Sequence, residues 1–261
     1  MIADLQPYPA MKDSGVEWLG DVPEHWEVRP NRALFDEIKD RDCPDEQMLS
    51  VTIKKGVIRQ AALLEDTSKK DSSNLDRSNY KLVLPGDIAY NKMRAWQGAV
   101  GVSDYRGIVS PAYIVQRPRP GVDSRFFHHL LRTPAFAKEA ERWSYGITSD
   151  MWSLRPEHFK MIYGCLPPLQ EQTTIAEYLD NATAGIDNSI DRTRREIELM
   201  REYRTRLIAD VVTGKLDVRQ VAANLPDEPH EPEPLGQIDR LVDEGDPMAD
   251  DLDAIPEEDE V

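Results

Sequence analysis

LPPLQEQTTIAEYLDNATAGIDNSIDRTRREIELMREYRTRLIADVVTGKLDVR, residues Leu166–Arg219, is the stretch whose reading decides the architecture. Apolar or near-apolar side chains recur at Ile175, Leu179, Ala182, Ile186, Ile190, Thr193, Ile197, Met200, Tyr203, Leu207 and Val211. Their mean step of 3.6 residues is the period of an α-helix. Acidic and arginine side chains fill the intervals, as in Asp191, Arg192, Arg194, Arg195, Glu196, Glu198, Arg201, Glu202 and Arg204. The pattern predicts a helix from Gln170 to Thr213, about 66 Å long at 1.5 Å per residue. Pro167 and Pro168 suit its start, and Gly214 suits a C′ cap. One small domain cannot cover so long a stripe. It must meet a partner helix, from this chain or another, as in a coiled coil.

Upstream of the helix the chain reads as strands first and helices later. Residues 1–28 form an irregular lead-in, with Trp18, Leu19 and Trp26 as apolar anchors onto a core. A short helix is expected over Asn31–Ile38. A β-hairpin follows, Met48–Ile53 and Gly56–Gln60, turning through Lys54, Lys55 and Gly56. Residues 65–79 are polar and without period, hence a loop. Strand-forming runs follow at 80–84, from Ile88 towards Trp96, at Gly98–Val102, Ile108–Val109 and Ala112–Gln116. Ser124 suits the cap of a helix SRFFHHLLRT with Phe127, Leu130 and Leu131 inward. A second helix starts at Pro134 and a short one spans RPEHFKMI. This order predicts an α+β fold. The expected organisation is a globular domain over residues 1–168, the long helix over 169–219 and an acidic tail over 220–261.

The tail dominates the charge. The chain carries a formal −16, yet residues 224–261 hold fifteen Asp/Glu against one Arg, leaving only −2 for everything before them. Four prolines near its start and few apolar groups predict disorder, since such a segment buries too little to offset ordering entropy. A short helix over Gly236–Glu244 is the one element its pattern allows. No run is long and apolar enough for a membrane span. Cys43 and Cys165, the two cysteines, give neither a disulfide framework nor a Cys-based zinc site, so a reducing cytoplasm is the default.

Catalytic patterns are missing. The chain has no GxGxxG or GxxxxGK[ST] phosphate cradle and no GxSxG elbow. The Asn/Asp-Pro-Pro-Tyr/Phe turn of an adenine methyltransferase is absent too, because Pro167-Pro168 follows Leu166. Asp45 and Glu46 lie upstream of Lys54 and Lys55, but Thr52 stands where a metal nuclease needs a carboxylate. His128 and His129 are helix neighbours that cannot easily share one metal.

Three segments together carry a resemblance. PPLQEQ with the LD…ID helix and EYRTRLIADVVTGKLDVR resembles the conserved helical region of DNA-specificity subunits of type I restriction–modification systems. YPAMKDSGVEWLGDVPEHWEV resembles the segment that opens each half of such a subunit. GDIAYNKMRAWQGAVG and SPAYIVQRP resemble the body of a target-recognition domain. The likeness runs from about residue 8 to residue 219. It implies a non-catalytic subunit that reads double-stranded DNA for a methyltransferase subunit, which carries S-adenosylmethionine, and for an ATP-driven restriction (translocase) subunit. Family members usually hold two recognition domains and two helical regions. One of each is present here, a half-length form that a homodimer, or pairing with another half-subunit, would complete through Ile175, Leu179, Ile186, Ile190, Ile197, Met200 and Leu207.

Base reading needs cations for phosphates and planar donors for base edges. The residues placed for it are Lys54, Lys55 and Arg59 at the hairpin, Lys69, Lys70 and Arg77 in the polar loop, Asn91, Lys92, Arg94 and Gln97 beside Trp96, then Arg106 and the segment from Tyr145 to Arg155. A strand through Lys92, Arg94 and Trp96 would put all three on one face. Each alone is an ordinary surface residue; together, on the loops of a body that resembles a recognition domain, they are expected to form a base-reading surface. The competing expectation is an assembly factor that docks proteins on its helix and reads no DNA.

Overall fold

A computed structural model describes residues 5–65, 77–148 and 151–223. In chain order its elements are β1 (Met11–Asp13), β2 (Asp21–Pro23), β3 (Glu27–Pro30), α1 (Asn31–Leu34), β4 (Phe35–Ile38), β5 (Leu49–Thr52), β6 (Gly56–Arg59), α2 (Gln60–Glu65), β7 (Lys81–Val83), β8 (Ile88–Asn91), β9 (Val100–Val102), β10 (Gly107–Val109), β11 (Tyr113–Pro118), α3 (Ser124–Leu131), α4 (Pro134–Arg142), α5 (Pro156–Phe159), β12 (Tyr163–Leu166), α6 (Leu169–Val212) and α7 (Arg219–Ala222). A 3₁₀ turn, Ala95–Gln97, separates β8 from β9. The architecture is a mixed α and β domain with one 44-residue helix. Two compact units divide the described chain, residues 5–178 and residues 179–223.

The first unit is organised around an antiparallel sheet of order β4-β11-β8-β9. Its middle strands read as continuous apolar runs because both faces are covered. From β8, Ile88 and Tyr90 enter one core with Phe35, Phe126, Phe127, Phe136, Phe159 and Leu154, whereas Ala89 enters another with Leu49, Val51 and Val57. On β11, Ile114 joins the first core while Tyr113 and Val115 join the second. This is the period-2 alternation of a strand, with an apolar partner on each side. The β5–β6 hairpin covers one face, and α3, α4 and α5 cover the other.

Three local expectations are corrected. The helix expected over Asn31–Ile38 stops at Leu34, because Phe35–Ile38 pairs with Pro118–Val115 and the buried Phe35 ring packs edge-on to Phe127. Helix α3 is capped not by Ser124 but by Asp123, whose carboxylate accepts the Arg125 N–H at 2.9 Å. Lys92, Arg94 and Trp96 do not share a strand face: β8 ends at Asn91, whose side chain accepts the Met93 N–H and turns the chain into the 3₁₀ turn.

The second unit contains the rest of α6 and α7. Gly214, at φ 75°, closes α6 in a Schellman pattern. Its N–H reaches the Val211 carbonyl at 3.1 Å, and the Lys215 N–H reaches the Asp210 carbonyl at 2.9 Å. Ion pairs such as Arg192–Glu196 and Arg201–Glu198 line the polar face. The predicted stripe is open only in part: Ile186, Ile190, Met200 and Leu207 are exposed, whereas Ile175, expected in the seam, packs instead against the core of the first unit. The first residues of the expected tail, 220–222, belong to α7 instead, and residues 224–261, including Gly236–Glu244, lie outside the described residues.

Candidate nucleic-acid interface

The two flanking motifs meet in space. Glu171, from PPLQEQ, accepts hydrogen bonds from the Tyr8 hydroxyl, from His25 Nε2 at 2.9 Å and from Trp26 Nε1 at 3.0 Å. Burial pushes the Glu171 carboxyl up, but the Tyr8, His25 and Trp26 bonds outweigh it and hold the group below its ordinary value. Burial and the bond to Glu171 push the Tyr8 phenol up to about 12. The neighbouring Gln172 is fully buried. Its amide donates to the Gly121 and Pro167 carbonyls at 3.0 and 2.7 Å and accepts the Asp123 N–H at 2.7 Å. The start of α6 is therefore fastened to the lead-in by Glu171 and to the cap of α3 by Gln172.

On the sheet side, the hairpin turn carries Lys54 and Lys55, both exposed. Arg132, just past α3, holds that turn. Its guanidinium donates to the Ile53 and Lys54 carbonyls at 2.8 and 2.7 Å and to the Val100 carbonyl at 2.8 Å. Burial lowers its pKa. The same group thus binds the hairpin turn to the strand that follows Ala95–Gln97. In that turn the Arg94 guanidinium donates to Gln97 Oε1 at 3.3 Å, so these two planar side chains are already paired. Trp96 donates to the Met93 carbonyl and packs edge-on to Trp152, ring centroids 5.5 Å apart. The Leu154 N–H donates to the Lys92 carbonyl at 2.7 Å, and Tyr145 pairs with Ser153. One chain of contacts therefore joins Lys54 and Lys55, Arg94 and Gln97, Lys92 and Tyr145.

Other candidates stand apart. Arg59 lies at the far end of the hairpin from the turn, opposite Leu49, with its guanidinium 4.6 Å from the Tyr105 ring centroid. Arg106 is paired to Glu46 at 2.6 Å. Arg155, by contrast, follows Leu154 on the segment fastened to Lys92 and is exposed at the start of α5, while Lys69 and Lys70 lie outside the described residues. Trp152 lies within the expected segment from Tyr145 to Arg155, whereas no sequence pattern marks Arg132 as a site component. Lys81 is buried, donates to the Tyr113 carbonyl at 2.6 Å and has its pKa lowered by burial to about 8. Among the described residues no group of three or more His, Cys, Asp or Glu side chains is placed to hold a metal ion, and no helix is long and apolar enough to cross a membrane.

No protein-family model matches the chain. It is 23% identical over 209 residues to the specificity subunit of the type I restriction enzyme EcoKI from Escherichia coli K12, covering 76% of this chain and 44% of that protein. Against the MjaVIII specificity subunit of Methanocaldococcus jannaschii it is 24% identical over 214 residues, covering 78% and 49%. The chain is similar to the specificity subunits of type I restriction enzymes. It spans about half the length of these specificity subunits. Among solved structures, the type I S subunit of M. genitalium matches at 16% identity and a TM-score of 0.43, over 71% of this chain and 45% of that one.

Proposed function

We propose that this chain is a non-catalytic, sequence-specific DNA-binding subunit that directs an adenine methyltransferase, and a restriction (translocase) subunit, to a bipartite target in the cytoplasm. The similarity to type I specificity subunits over about three quarters of the chain carries this reading. The surface supports it: one half-buried arginine and one tryptophan pair gather lysines suited to phosphates and planar donors suited to base edges. S-adenosylmethionine belongs to the methyltransferase, and no residue of this chain is assigned to it.

The occupant proposed for the open stripe of α6 is a second copy, antiparallel, as a coiled coil. Residues 169–191 carry five acidic and no basic side chains, whereas residues 192–207 carry six Arg and three Glu. Antiparallel pairing sets the acidic half of each helix against the basic half of the other; parallel pairing sets like against like. The reading is tested by titrating DNA against the full chain at several salt concentrations, and by mapping methylation with a co-expressed methyltransferase. Affinity should fall steeply with salt through counterion release. No binding at any salt, with partner assembly intact, would favour the assembly-factor alternative.

A further inference from the structure

Among the described residues Ile147 is the most exposed large apolar side chain, 90% accessible. Tyr145 and Met151, also exposed, stand on the same segment. Its described arms, residues 145–148 and 151–153, are firmly held. Tyr145 and Ser153 exchange backbone hydrogen bonds at 3.3 and 3.1 Å, and the Met151 N–H donates to the Thr148 carbonyl at 3.0 Å. Gly146 lies so close to Met151 that a Cβ there would overlap the Met151 carbonyl. The Tyr145 ring packs 5.0 Å from His158, and the Leu154 N–H fastens the segment to the Lys92 carbonyl. An isoleucine is thus held out into water on a braced segment whose base meets the Lys92 carbonyl through Leu154 and Trp96 through Trp152.

We propose that Ile147 is an apolar base-reading residue, contacting a thymine methyl group when DNA lies across Lys92, Arg94 and Gln97. This rests on the DNA-binding reading above. A thymine methyl is the one base-edge feature in the major groove that an aliphatic side chain recognises by contact. Three apolar side chains are far too few for a stable protein interface, which takes about 800 Å² from each partner. The neighbouring groups suit a polyanion: Lys92 and Arg155 for phosphates, Arg94 and Gln97 for base edges.

The experiment selects duplexes from a randomised library with the full wild-type chain. Binding is then measured to the selected duplex and to versions carrying deoxyuridine in place of each thymine. At one position the wild type should lose about fourfold in affinity, the equivalent of one buried methyl group. Ile147→Ser should bind the thymine and uracil versions equally, with an unchanged salt slope because no phosphate contact is lost. Lys92→Ala should show the reverse: a shallower salt slope and intact discrimination. Wild-type discrimination in Ile147→Ser at every thymine overturns the proposal. So does a variant that reads DNA normally but no longer associates with its methyltransferase, which would make the segment a protein dock. A wild-type chain that selects no sequence defeats the DNA reading itself, and this proposal with it.

Discussion

Glu171 shows how much one side chain organises: a single carboxylate gathers a phenol, an imidazole and an indole from the lead-in. Its folded pKa lies below the unfolded value, so the unfolded chain binds more protons as the group titrates. Its contribution to stability is complete above the ordinary value of about 4.5 and is lost as pH falls through the lower, folded value. Glu171→Gln should cost about 1–2 kcal/mol at neutral pH and flatten the acid limb of a plot of Tm against pH; equal acid limbs would refute the assignment. At Arg132, substitution by Met strands the Ile53, Lys54 and Val100 carbonyls without their donor. The expected loss is about 2–4 kcal/mol in urea unfolding, and a loss below about 0.5 kcal/mol would show that the turn is held by something else. Phosphate and base contacts also separate at this scale. Lys92→Ala should weaken binding to all sequences alike, whereas Arg94→Ala or Gln97→Ala should relax one base position by about 1–3 kcal/mol. Wild-type preferences in both latter variants, across single-base versions of the target, would remove this turn from the reading surface.

Among the elements, α6 carries the strongest expectation. Ile190 is exposed in the single chain and Ile197 half-exposed, so replacing both with Asp leaves the monomer's fold intact. In a paired seam the same change buries unpaired charge, at a cost of several kcal/mol per site. The double variant should sediment as a monomer and fail to assemble with the proposed methyltransferase partner while retaining the melting transition of residues 5–178. A variant that still sediments as a dimer would place the seam elsewhere.

For the whole molecule, pairing two identical chains through antiparallel helices imposes a two-fold axis. The two recognition domains then meet DNA in opposite orientation, so the target should be an inverted repeat. A 44-residue helix is about 66 Å long, and in the proposed dimer the overlap of two such helices should separate the half-sites by a spacer of several unread base pairs. Inserting one heptad near Gly185 keeps the seam in register and displaces the domains. Methylation mapping should then return the same half-sites with a longer spacer. A continuous or non-palindromic site for the lone chain with its methyltransferase would defeat the symmetric dimer.

Local, repetitive physics was legible in the sequence. The 3.6-residue period gave α6 to within a residue at each end, and Gly214 marked its stop because a positive φ there suits glycine. The hairpin turn at Lys54-Lys55-Gly56 and the α+β order follow from equally short-range patterns. Where a residue's conformation depends on distant partners, the pattern was insufficient. Phe35–Ile38 reads as a continuing helix until β11 is available to pair with it. Lys92, Arg94 and Trp96 alternate like a strand, yet Asn91 turns the chain and Trp96 finds Trp152. Arg132 reads as any helix-end cation, because the carbonyls it binds, in β9 and in the hairpin turn, lie 32 and 79 residues away in sequence. Periodicity records which face of an element is apolar; which elements those faces and cations meet is set by long-range packing, and only the tertiary structure decided it.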